Sequence, residues 1–177
     1  AISSAASDVY NRQSQFNIDV TYASDVPAVL IPAFDAAIAR WEEVIISDLS
    51  DQVDGDGNPI DDLSISVQYG LLGGDDVTSQ AAANASPGLR RGASDPNPYL
   101  AYTGQVGVNN TRQWDSEDPR FMTGLAIHEI GHIIGWSGNI ITDFNYYDAD
   151  LDYVGENALR EYPVSYTHLR AHETLIY

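Results

Sequence analysis

The sequence has no cysteine, so disulfide staples and thiolate metal sites are both unavailable to it. It has no lysine either: its 8 basic residues are all arginine, set against 26 acidic ones for a formal charge of −18. That balance excludes a nucleic-acid partner, because neutralising phosphates takes clustered Lys and Arg. An anionic membrane surface would repel the chain as well. No run approaches the roughly 18 apolar residues of a membrane span, so no membrane-crossing helix is expected. No charged segment followed by an apolar stretch opens the sequence at Ala1, and a signal peptide is therefore not part of it as it stands. Lysine-free acidity suits salty or calcium-rich surroundings, and a secreted or extracellular location is the expectation. What remains is ample for folding: 177 residues, 44% hydrophobic and 19% charged, fit one ordered domain rather than a disordered chain.

Phe16, Ile18, Val20 and Tyr22 alternate with polar residues, the period of a half-buried strand. Leu30 or Ile31, Phe34, Ile38, Trp41 and Ile45 then recur every three or four residues, which predicts an amphipathic helix over about residues 28–48. The segment from Asp54 to Pro59 reads as a turn, and Leu63, Ile65, Val67 and Tyr69 as a second strand, so the strand–helix–strand order implies a crossover within one sheet. Residues 70–104 are rich in Gly, Ala, Ser, Asn and Pro and are expected to be mostly loop, with one short strand near Leu89. A further short strand is expected at Gln105 to Asn109, and a helix from Asp118-Pro119 to Gly135, with proline in its first turn and glycine at its stop. A short helix is expected around Glu156 to Tyr162.

The chemistry concentrates in His128-Glu129-Ile130-Gly131-His132. Positions i and i+4 of a helix share a face with Cβ atoms about 5–6 Å apart, so two imidazoles can converge on one metal ion. Glu129, one residue on and about 100° around the helix, stands beside the ion rather than on it, where a general base would hold a metal-activated water. The site is thus read as His128 and His132 binding Zn2+, with Glu129 passing a proton from that water to the leaving amine of a cleaved peptide. Chance would produce this spacing in roughly 0.004 of chains of such composition, too rarely to account for it.

The run HEIGHIIGWSG resembles the metzincin zinc peptidases, in which a glycine and a third ligand follow the two histidines. His128, Glu129, His132 and Gly135 match that pattern, whereas Gly138 occupies the third ligand's place without a side chain to donate. The chain is similar to the leishmanolysin family, where a long insertion delays the third histidine; FDAAIARWEEVI, DLSDQ, DDLSISV, GQVGVNN and YVGENALREY carry that likeness over about residues 16–162. The resemblance implies an α/β (α+β) fold: a metzincin-like N-terminal catalytic subdomain with a small twisted mixed sheet, a long backing helix and an active-site helix carrying the motif. It also implies a zinc endopeptidase, expected as a monomer, that binds a protein or peptide substrate as an extended strand along a cleft-lining edge at Tyr99 to Asn109. In the family the third histidine and a methionine turn come after the GENALREY-like segment, and Met122, lying before the motif, is not that methionine. Residues 164–174 resemble a translated sequencing-library adapter, so the expected domain is 1–163, truncated at its C-terminal side, followed by a non-native tail at 164–177. Two imidazoles alone hold zinc weakly, and little activity is expected of such a fragment.

Other residues compete for roles. Asp143, Asp148, Asp150, Asp152, Glu156 and Glu161 are acidic candidates for the third ligand; Glu156 or Glu161 would make the protein a thermolysin-like zinc peptidase with a glutamate ligand. His168 and His172, beside Glu173, repeat the i, i+4 spacing but fall in the adapter-like tail. A third reading is a non-catalytic binding module that retains the fold, and the intact Glu129 argues against it. Asp54, Asp56 and Asn58 have the spacing of a calcium loop, yet Pro59 and Ile65 stand where glycine and glutamate belong, so calcium is a minor expectation beside zinc. Arg90, Arg91 and Arg112 are expected to be surface counter-charges.

Overall fold

In the computed structural model, residues 15–72 and 81–136 are described. Contacts divide the chain into two units, Ala1–Ser137 and Gly138–Tyr177, and every described residue lies in the first. The expected helix at Glu156 to Tyr162 and the expected domain limit at residue 163 lie outside the described residues.

The alternating segment forms β1 (Ile18–Tyr22), and the amphipathic segment forms α1 (Ile31–Val44). The helix is shorter than its periodicity suggests. Pro32 sits in its first turn, where a missing N–H costs nothing, and the β-branched run Val44-Ile45-Ile46 leaves it at an extended Ile45. The acidic turn is a small hairpin of β2 (Gln52–Val53) and β3 (Pro59–Ile60). β4 (Leu63–Gly70), β5 (Ala83–Pro87) and β6 (Thr103–Asn109) follow, then a short 3-10 turn at Trp114–Ser116 and α2 (Pro119–Ile134). The fold is a mixed α+β one, with a four-stranded sheet ordered β1-β4-β6-β5. β1, β4 and β6 are parallel, and β5 pairs antiparallel with β6 at the edge.

Two expectations are corrected here. The segment Tyr99 to Asn109 does not line an edge: β6 lies between β4 and β5, hydrogen-bonded on both sides. The edge on that side of the sheet is β5, within the stretch read as loop, and near Leu89 there is only a single bridge, Arg90 to Ala101. The segment ANASP lacks the apolar alternation that identifies a strand; it becomes one because β6 offers it a row of unpaired backbone groups.

Ile18, Leu63, Ile65, Val67, Val106 and Val108 fill one face of the sheet and join Phe34, Ala37 and Ile38 of α1 and Met122, Ala126, Ile130 and Ile133 of α2 in one core. Each such buried Val, Leu, Ile, Phe or Met side chain contributes about 1.5–3 kcal/mol. Asp19, Ser64, Ser66 and Gln105 alternate with them toward the opposite face. α2 packs against α1, β5 and β6, and two glycines set these distances. A Cβ on Gly104 of β6 would come within 2.5 Å of an Ile133 methyl, and one on Gly131 within 3.3 Å of the Trp41 ring. Gly104→Ala should therefore force α2 off the sheet and cost about 1–3 kcal/mol, read as a lowered midpoint in urea with an unchanged slope. Among the described residues no helix is long and apolar enough to cross a membrane.

Candidate metal centre

α2 starts where the sequence places it. The Asp118 carboxylate accepts the Arg120 N–H at 2.8 Å, satisfying one of the first-turn donors, and Pro119 follows at a position that needs no N–H. At 100° per residue the helix then presents three flanks. Met122, Ala126, Ile130 and Ile133 face the core. Ile127 and Gly131 face α1, where the Trp41 indole Nε1 donates to the Ile127 carbonyl at 3.2 Å. His128 and His132 occupy the third flank, turned away from α1 and partly exposed. Glu129 falls on the seam between the histidine flank and the core.

The two rings meet. Their Nε2 atoms are 3.0 Å apart, with centroids 4.5 Å apart and planes at 88°. Tetrahedral zinc with Zn–N distances near 2.0–2.1 Å holds two such nitrogens about 3.3 Å apart, so the pair must part by only a few tenths of an ångström to take the ion. Burial, then the neighbouring charge of His132, lowers the His128 pKa and favours the neutral imidazole that a metal requires. Glu129 is 5% exposed, and burial raises its pKa above the ordinary carboxylate value, with the nearby His132 opposing that rise. Its carboxylate does not form a three-ligand group with the two histidines. The site residues expected from the sequence are thus brought together on one helix. Among the described residues no third His, Asp or Glu joins them. Gly138, Asp143, Asp148, Asp150, Asp152, Glu156, Glu161, His168 and His172 lie outside the described residues.

The remaining candidates fare differently. Asp54 turns inward on its own loop: its carboxylate accepts the backbone N–H of Asp56 and Asn58 and the Asn58 amide. These bonds, led by the Asn58 amide, lower its pKa. Those oxygens stabilise the β2–β3 turn. A cavity of about 350 Å³ lined by Asp19, Asp54, Asn58, Ser64, Ser66 and Thr103 opens beside that hairpin and includes no motif residue. Arg91 contradicts its expected surface role, being 1% exposed. Arg112 pairs with Glu117 at 2.5 Å and lies over the Trp114 and Phe121 rings.

Sequence reasoning did not anticipate the acidic group Asp48, Asp61 and Asp62, whose carboxylate oxygens lie within 4.8 Å of one another. Asp62 is fully buried, and desolvation pushes its pKa up to about 6. Its two oxygens accept the Asn17 and Leu49 backbone N–H groups at 2.7 Å each, so they already serve the fold.

Comparison with protein-family models, curated proteins and solved structures returns no match.

Proposed function

We propose that the protein is a zinc-dependent endopeptidase of leishmanolysin-like metzincin type. The observation that supports this is the convergence of the His128 and His132 Nε2 atoms to 3.0 Å on one turn of α2, with a desolvated Glu129 on the adjoining seam. Zinc bound there would supply Lewis acidity toward a peptide carbonyl and toward water. Glu129 takes a proton from the attacking water and delivers it to the departing amine; its raised pKa brings it nearer neutrality, where both transfers are efficient. The β5 edge offers backbone donors and acceptors to an extended peptide, a role the family resemblance assigned to the strand that proves interior.

The test is metal content followed by cleavage. Zinc titrated into the chain should bind at one site, weakly as two imidazoles alone allow; His128→Gln and His132→Gln should each weaken that retention at least about 100-fold, because a single imidazole then remains. Cleavage of an unfolded protein should stop on chelation and return with zinc. Retention unchanged in both variants would place the ion elsewhere and end this reading.

A further inference from the structure

The helix ends in a way that bears on the ligands. The backbone N–H groups of Gly135 and Trp136 both donate to the Gly131 carbonyl, at 3.1 and 2.9 Å. The chain thereby curls back, and the Trp136 carbonyl oxygen comes to 2.7 Å from His132 Nδ1. A carbonyl oxygen only accepts, so His132 Nδ1 carries the proton. In the neutral pair, His132 Nε2 is then a bare lone pair, and its 3.0 Å contact with His128 Nε2 requires that His128 be the donor.

We propose that the Trp136 carbonyl is a positioning group: it locks His132 in the tautomer that offers Nε2 to the metal and leaves the single proton between the rings on His128 Nε2. This deepens, and rests on, the reading of the two histidines as zinc ligands. Its consequence is an asymmetry between them. His132 is ready for the ion in the metal-free protein, whereas His128 must first give its Nε2 proton to solvent and take one back at Nδ1. The role belongs to the main chain, since the Trp136 side chain is 69% exposed.

The test is imidazole nitrogen NMR on the 15N-labelled full chain, stripped of metal and held at alkaline pH, with His128→Gln and His132→Gln assigning the signals. The expected result is a protonated Nδ1 on His132 and a protonated Nε2 on His128. Trp136→Ala, which keeps the carbonyl, should preserve that pattern. Replacing the amide between residues 136 and 137 with an ester weakens the carbonyl as an acceptor; it should mix the His132 tautomers and lower zinc affinity by about 10-fold. On zinc addition His132 should keep its pattern and His128 should switch to Nδ1–H. A protonated Nε2 on His132 in the metal-free chain, or an ester form with unchanged tautomers, would overturn the proposal. The expected tautomers together with no response to zinc would instead overturn the metal reading while leaving the role of the Trp136 carbonyl standing.

Discussion

Glu129→Gln should reduce peptide cleavage by about 10²–10⁴-fold while leaving the zinc content of the protein unchanged. The glutamine amide matches the carboxylate in size, so the buried seam of α2 keeps its packing, and His128 and His132 keep their convergence. What is lost is a group that can accept a proton. The pH dependence gives a second readout. The base must be ionised in the free enzyme, so kcat/KM should fall on the acid side as Glu129 is protonated; burial raises that pKa, and a zinc ion beside the carboxylate would oppose the rise. Cleavage by the glutamine variant at an undiminished rate would remove Glu129 from the chemistry, even if zinc still bound.

That prediction rests on a part of the molecule that was legible in advance. The motif helix has a proline start and a glycine stop, and these signals agree, so α2 forms where they place it. β1 and β4 were equally plain, because alternation marks strands with one buried face. β5 was not. Its residues carry no periodic signal, and their extended form comes from pairing with β6, a partner some twenty residues on. The edge at Tyr99 to Asn109 came from the family resemblance, and with β5 unseen nothing in the residues opposed it. The Trp136 carbonyl was illegible for a related reason, since a main-chain contact leaves no mark on residue type.

Arg91 is the clearest case of burial that composition conceals, and its removal should be the most damaging change to stability. The side chain is 1% exposed, and its guanidinium donates to three carbonyls: Ser50 at 2.9 Å, Asp62 at 2.8 Å and Ala101 at 3.1 Å. Those oxygens belong to the segment after α1 and to the residues just before β4 and β6, so one planar fork ties together three chain segments at the start of the parallel strands. Burial lowers its pKa, while Asp95 and Asp62 oppose that fall and help keep the cation charged. Arg91→Met would fill similar space but leave three carbonyl acceptors without their donor and Asp62 without a neighbouring positive charge. The expected cost is about 3–5 kcal/mol, a large share of the roughly 5–15 kcal/mol that holds a domain together. Tm should fall by about 6–20 °C in a chain of this size. Arg91→Lys should recover only part of the loss, because one ammonium cannot reach three segments at once. The buried Asp62 adds a pH signature. Its folded pKa, about 6, lies above its unfolded value, so its ionisation opposes folding, and stability should decline as pH rises through the interval from about 4 to 6. Removing Arg91 takes away a charge that favours the ionised Asp62, and the decline should then extend to higher pH. Urea denaturation at pH 5 and pH 8 measures both effects; an Arg91→Met protein as stable as the parent at both values would show that the three segments hold together without the guanidinium.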